Sequence, residues 1–129
     1  MYEIKTDQQH CIIEFFLAGT VGDTEIDQFI HELSSATTTL AGQEIKIKAD
    51  LRAFSPTSAQ VAEKIRAVQR FGLENGVRRV AEIVESDAVA GQLNSVARQS
   101  GTDKILRRFW EDASARDWLV HGDCERKAS

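Results

Sequence analysis

The chain has 129 residues, 42% of them hydrophobic and 28% charged, a composition suited to one globular domain with its own apolar core. Its net charge is −4 and its basic residues are spread along the sequence, so electrostatics do not favour nucleic acid as a partner. Met1 to Leu17 lacks the features of a secretory leader, and no apolar stretch approaches the roughly 20 residues of a membrane span. We therefore expect a cytoplasmic protein without a transmembrane segment.

The predicted elements begin with a hairpin of two strands, Tyr2 to Thr6 and Cys11 to Leu17, joined by a short polar turn. Apolar residues at helical spacing predict a first helix after Gly22, where Asp23 suits the positive end of the helix dipole. A third strand, Glu44 to Leu51, follows, because apolar and charged residues alternate along it.

A second helix comes after this strand and ends near Asn75-Gly76, a usual signal for a helix C-terminus. The next strand is predicted from Arg79 to Glu85, and the third helix is capped by Asp87 and ended by Gly101. The last elements are a short strand from Lys104 to Phe109 and a helix from Asp112 to Leu119.

This order of elements predicts an α/β fold with a mostly parallel mixed sheet of about five strands, an antiparallel N-terminal strand and about four helices. We expect residues 1–121 to form a single domain and residues 122–129 to be a flexible C-terminal tail. No internal repeat or linker divides the sequence.

The junction between the third strand and the second helix is the candidate functional site. Asp50 lies at the carboxyl end of a central strand, the edge where open α/β sheets bind ligands, and Arg52 follows it. Ser55, Thr57 and Ser58 precede the helix, whose free backbone N–H groups can meet an anion or the acceptors of a partner. The sequence thus predicts a ligand-binding or partner-binding site at this junction.

The same residues also fit purely structural roles. Ser55 can be an N-cap ahead of a proline at the first helical position, and Thr57 with Gln60 can form a capping box. Asp50 and Arg52 can form a local ion pair of little energetic weight. Both interpretations remain open from the sequence.

Other kinds of site have little support in the sequence. The histidines are scattered and no glycine-rich phosphate loop is present, so we expect neither a metal site nor a cofactor. An enzyme would need its polar centre at Asp50, Arg52 and Ser58, but the spacing provides no pair of nucleophile and base. Trp110 and Trp118 are predicted to cover one end of the core, whereas an exposed pair would indicate a partner surface.

Four short stretches, taken in their order along the chain, resemble STAS-like domains, which are named for sulfate transporters and anti-sigma-factor antagonists. The likeness is greatest to a small stand-alone bacterial branch of uncharacterised proteins. The stretches are Gly19-Thr20-Val21, Ala49-Asp50-Leu51, Phe109-Trp110-Glu111-Asp112 and Ala115-Arg116-Asp117-Trp118-Leu119.

This resemblance implies a non-enzymatic switch or binding module in signalling, because anti-sigma-factor antagonists bind a partner kinase. They are controlled by phosphorylation of a serine or threonine at the start of the second helix, which implies Ser58 and Thr57 as phosphorylation sites here. The antagonists typically read Asp-Ser-Ser-Gly at this point. This chain keeps both hydroxyls but has Pro56 in place of the acid and Ala59 in place of the glycine.

The resemblance between STAS folds and CRAL-TRIO lipid-transfer domains implies an alternative, a carrier of a small apolar or lipid ligand. Its cavity would lie under the second and third helices, lined by Val61, Ile65, Leu93 and Val96, although these residues would pack equally well as ordinary core. A homodimer could form across the antiparallel edge strand. Peripheral membrane contact or binding of an acidic partner would follow if two basic groups converged: Arg66, Arg70, Arg78 and Arg79, and Lys104, Arg107 and Arg108.

Overall fold

The computed structural model describes residues 1–55 and 58–121. Within these ranges the chain forms five strands, four α-helices and one short 3-10 turn. The strands are β1 (Tyr2–Asp7), β2 (Ile12–Leu17), β3 (Ile45–Asp50), β4 (Val77–Ile83) and β5 (Leu106–Phe109). The helices are α1 (Asp23–Thr39), α2 (Ala59–Glu74), α3 (Asp87–Ser100) and α4 (Asp112–His121). The 3-10 turn is at Thr102–Lys104.

The five strands form one sheet in the order β1-β2-β3-β4-β5. β1 is antiparallel to β2, with Tyr2 opposite Leu17, and each later strand is parallel to its neighbour. The predicted α/β fold, with a mostly parallel mixed sheet, an antiparallel N-terminal strand and four helices, is confirmed. Because α1, α2 and α3 each connect parallel neighbours, right-handed crossovers place them on the same face of the sheet.

Alternation of side chains along the strands divides the apolar residues between the two faces. Ile13 and Ile45 belong to the larger layer, which packs against α1, α2 and α3. Ile12 and Ile83 belong to a smaller layer on the opposite face, covered by α4. The sheet is therefore buried on both sides, as is usual for parallel strands.

Two helix starts differ from the sequence-based prediction. The N-cap of α2 is Ser58 rather than Ser55, and the capping box predicted to begin at Thr57 falls on a residue outside the described ranges. The N-cap of α3 is Ser86 rather than Asp87, because Ser86 has extended backbone and its hydroxyl accepts a hydrogen bond from the N–H of Val89. Asp87 instead occupies the first turn, where its charge complements the helix dipole.

None of the helices in residues 1–55 and 58–121 has both the length and the hydrophobicity needed to cross a bilayer.

Candidate functional site

Asp50 and Arg52 are held together at the end of β3. The Arg52 side chain donates from Nε to Asp50 Oδ1 at 3.0 Å and from Nη2 to Oδ2 at 2.7 Å, and the Arg52 backbone N–H also donates to Oδ1. These hydrogen bonds lower the pKa of Asp50. The Asp50 carboxylate is therefore ionised and already occupied by a bidentate partner.

The two described serines of the junction have separate partners. The Ser58 hydroxyl accepts a hydrogen bond from the Val61 N–H at 3.2 Å, and the Ser55 backbone N–H donates to the Gly19 carbonyl at 3.1 Å. Within residues 1–55 and 58–121, no hydrogen bond or ion pair links either serine to Asp50 or Arg52. Ser58 is therefore the N-cap of α2, and the backbone of Ser55 connects the loop after β3 to the segment after β2 by a hydrogen bond.

A cavity of about 70 Å³ lies between the sheet and the layer formed by α1, α2 and α3. Its wall is almost entirely apolar. The partly exposed lining residues are Phe15, Ile47, Gln69, Leu73 and Ile105, and the last three lie on α2 and beside the Thr102–Lys104 turn. The apolar wall includes Phe15, Phe29, Ile47, Ala49, Leu51, Ile65, Val68, Val80 and Leu93.

The cavity has the position that the sequence suggested under the second and third helices. Ile65 and Leu93 contribute to its wall. Val61 and Val96 are buried in the core without lining the cavity, which is the ordinary core packing that the sequence left open for them.

Glu82 is a buried carboxylate in the cavity wall, only 3% exposed. It lies opposite Arg108 of the neighbouring strand, whose Nε and Nη2 are 3.0 and 2.8 Å from Glu82 Oε1. Arg108 Nη1 also donates to Asn94 Oδ1 of α3 at 2.5 Å. Burial raises the pKa of Glu82, and the charge and hydrogen bond of Arg108 oppose that shift.

Sequence reasoning missed the Glu82 pair. One signal was available, because Glu82 shares a strand face with Val80 and Val84, and a charged residue between two buried valines needs a partner. The identity of that partner depends on the register between β4 and β5, which the sequence does not give.

On the opposite face, Lys48 forms a second charged cluster beneath α4. Its side chain is only 9% exposed, and Nζ lies 2.7 Å from Glu14 Oε1 and 2.5 Å from Asp112 Oδ1. Burial alone would lower the pKa of Lys48, but the hydrogen bonds to Asp112 and Glu14 outweigh it and raise the pKa. Asp50 lines a shallow depression of about 120 Å³ beside this cluster, so its side chain lies on the α4 side of the sheet.

The two tryptophans differ in exposure. Trp118 is buried against the sheet, as predicted, and Arg79 and Arg107 lie 5.9 and 4.9 Å from the centre of its ring. The prediction for Trp110 is wrong, because Trp110 is 73% exposed. It lies in the two-residue link between β5 and α4, where the chain leaves the sheet before the helix begins.

Among the described residues, no group of three or more histidine, cysteine, aspartate or glutamate side chains is placed to hold a metal ion.

The chain is similar over 92% of its length to the crystal structure of an uncharacterized protein from Shewanella loihica PV-4, a member of the DUF3478 family with a SpoIIAA-like fold. The TM-score is 0.64, the sequence identity is 21%, and 92% of that protein is covered as well. The chain has a STAS-like fold. No protein-family model matches its sequence, and no curated protein matches it.

In this STAS-like fold the candidate residues fall at two separate places. Asp50 and Arg52 lie at the carboxyl edge of the sheet, on the side of α4. Glu82 and the apolar cavity lie inside the larger layer, on the side of α1 to α3. The first place offers fixed charges at the surface, and the second offers enclosed apolar volume with one buried carboxylate.

Proposed function

We propose that the protein is a non-enzymatic STAS-like binding module whose core cavity takes a small, mainly apolar ligand. The observation that carries this proposal is the cavity of about 70 Å³ between the sheet and α1 to α3. Protein interiors are close-packed, and at about 24 cal/mol per Å³ a void of this size costs roughly 2 kcal/mol. A larger side chain at Ala49, on the cavity wall, would remove that cost, so the retained volume supports a ligand-binding role.

The dimensions of the cavity favour a narrow ligand. A buried apolar cavity of about 150 Å³ binds benzene, so a space of less than half that volume suits a short aliphatic chain better than a ring. The partly exposed residues Gln69, Leu73 and Ile105 offer a route along which such a chain extends to solvent. Glu82 supplies one buried polar group for the hydroxyl or other hydrogen-bonding part of the ligand.

The residues of the strand–helix junction support binding rather than catalysis. The Asp50 carboxylate is paired with Arg52 and has a lowered pKa, which makes it a weak base. The Ser58 hydroxyl accepts a hydrogen bond from the N–H of Val61 and faces no base among the described residues.

Partner binding at this junction, through Asp50, Arg52, Ser55, Thr57 and Ser58, is a second candidate. One observation favours it: the Arg52 side chain remains 37% exposed at the carboxyl edge of the sheet, where open α/β folds bind ligands. Phosphorylation at Ser58 or Thr57, homodimer formation and peripheral membrane contact stay predictions. Intact mass measurement of the protein and its Ser58→Ala variant, both purified from the native host, tests phosphorylation. A mass increase of one phosphate that the variant lacks would support control at Ser58.

The test of the core cavity compares one filling variant with one matched control. Ala49→Leu adds three carbon atoms to the cavity wall, whereas Val61→Leu enlarges a buried side chain that does not line the cavity. The probe is butan-1-ol, whose short aliphatic chain suits a space of this size, followed by the methyl resonances of Ile47 and Ile65 in NMR spectra. Both variants must first show the wild-type circular dichroism spectrum.

We expect saturable shifts of these methyl groups in the wild type and in Val61→Leu, and none in Ala49→Leu. Ala49→Leu should also unfold at a temperature equal to or above that of the wild type, because it fills empty volume. Equal binding by both variants, or no saturable binding by the wild type, would contradict the proposal.

A further inference from the structure

A separate cavity of about 160 Å³ lies beneath Trp110, at the carboxyl ends of β4 and β5. Its apolar wall comes from Val84, Ala90 and Phe109. Trp110 forms one side and is largely exposed, and among the described residues the other large apolar side chain with comparable exposure is Met1. An exposed tryptophan beside an apolar depression is typical of a protein interaction surface.

The rim of this cavity is acidic. Glu85 and Asp87 line it and are exposed, and Glu111, also exposed, follows Trp110 directly in the chain. The next residue, Asp112, belongs instead to the depression on the α4 side, where it contacts the buried Lys48 amine. The rim therefore presents excess negative charge to solvent.

Two nearby cations are already engaged. Arg108, in the cavity wall, donates from Nε to Glu82 Oε1 at 3.0 Å; its Nη2 lies 2.8 Å from the same oxygen as an ion-pair contact without hydrogen-bond geometry. Arg52 is close enough for the charges of Asp112 and Glu85 to raise its pKa, but its bidentate partner is Asp50. Neither arginine therefore cancels the negative charge of the rim.

The N-terminus of α3 does not create an anion site here. The Ser86 hydroxyl already accepts the hydrogen bond of the Val89 N–H, and Asp87 places a carboxylate in the first turn of the helix. The electrostatics of this edge therefore favour a cation.

We propose that this surface, formed by Trp110 with Val84, Glu85, Asp87 and Phe109, binds a protein segment that inserts a lysine or arginine side chain against Trp110. The aliphatic stem of such a side chain fits the apolar wall, and its charged end meets the aromatic face and the acidic rim. A surface of anionic lipid would be repelled by the same carboxylates. The site lies at the sheet edge and is independent of the ligand proposed for the core cavity.

The test uses two immobilised pools of random 12-residue peptides with the same apolar residues, one pool containing lysine and arginine and the other aspartate and glutamate. The tightest peptide is then measured by fluorescence anisotropy at low and high salt. The variants are Trp110→Ala, Trp110→Tyr and the rim reversal Glu85→Lys/Asp87→Lys. A matched reversal of two exposed glutamates at the opposite edge of the sheet, Glu44→Lys/Glu74→Lys, changes the net charge equally.

We expect binding of the cationic pool alone, with affinity that falls as salt rises. Trp110→Ala should weaken binding by at least about fivefold and Trp110→Tyr by less than about twofold, since tyrosine retains an aromatic face. The rim reversal should weaken binding by at least about tenfold, and the matched reversal by less than about threefold.

Four results would overturn the proposal: no binding of the cationic pool, equal binding of both pools, no effect of Trp110→Ala, or equal effects of the two charge reversals. A fifth would be tighter binding to phosphatidylglycerol vesicles than to the cationic peptide, which would identify a lipid surface instead. Circular dichroism spectra must match the wild type for each variant that is compared.

Discussion

Replacing Arg108 with methionine leaves Glu82 without a charged partner in the core. Removing one member of a buried ion pair typically costs about 3 to 5 kcal/mol, because the remaining charge is uncompensated. Glu82 can limit this cost by taking up a proton. From an ordinary glutamate pKa of about 4.3, protonation costs about 3.7 kcal/mol at pH 7 and about 1 kcal/mol at pH 5. We therefore expect Arg108→Met to lower the free energy of unfolding by about 3 to 4 kcal/mol at pH 7, and by about 1 kcal/mol at pH 5.

The direction of this pH dependence follows from the pKa of Glu82. Burial raises that pKa in the folded protein, so the folded state binds more protons than the unfolded state, and stability falls as the pH rises above the ordinary glutamate pKa. Loss of Arg108 raises the pKa of Glu82 further, so the free energy of unfolding decreases more steeply as the pH rises. Urea unfolding at both pH values measures the effect, with Glu82→Gln/Arg108→Met as the control that removes both charges. A loss of less than about 1 kcal/mol at pH 7 in Arg108→Met, or an equal loss at both pH values, would contradict a buried charged pair of Glu82 and Arg108.

Three further changes test the remaining contacts. Ser58→Ala should lower the free energy of unfolding by about 1 kcal/mol in urea, through loss of the α2 cap, and an unchanged midpoint would rule that cap out. Hydrogen bonds from His10 and Arg116 lower the pKa of Asp7 to about 2, so its stabilising contribution is complete above its ordinary pKa and disappears as the pH falls toward about 2. Asp7→Asn should remove that part of the acid-unfolding curve, and superimposable curves would contradict it. Lys48→Met leaves Asp112 without its cationic partner and leaves Glu14 with Arg116 alone, so hydrogen exchange in α4 should accelerate relative to α1; equal protection would argue against this role.

Local patterns predicted the architecture well, because each helix and strand carries its own signal. Alternation along Glu44 to Leu51 predicted β3, which the structure places at Ile45–Asp50. Gly101, with a positive φ of 90°, ends α3 as glycine at that position predicts. The fourth strand begins at Val77, two residues earlier than predicted. It follows Gly76 directly, and the charged residues Arg78 and Arg79 interrupt the apolar pattern from which its start was predicted.

Long-range pairs account for what the sequence did not reveal. Glu82 meets Arg108 across 26 positions, and Lys48 meets Asp112 across 64. Both pairs depend on strand register and on the placement of α4, which no local pattern encodes. The exposure of Trp110 was missed for a related reason, since a tryptophan beside a strand end packs inward or outward according to where the next helix begins.

A ligand in the core cavity can be detected by native mass spectrometry of the protein purified from its own host, alongside Ala49→Leu and Val61→Leu. We expect a bound, mainly apolar molecule on the wild type and on Val61→Leu, released on denaturation, and its absence from folded Ala49→Leu. A wild-type protein without any bound molecule, or a molecule that Ala49→Leu retains equally well, would contradict a ligand in the core cavity.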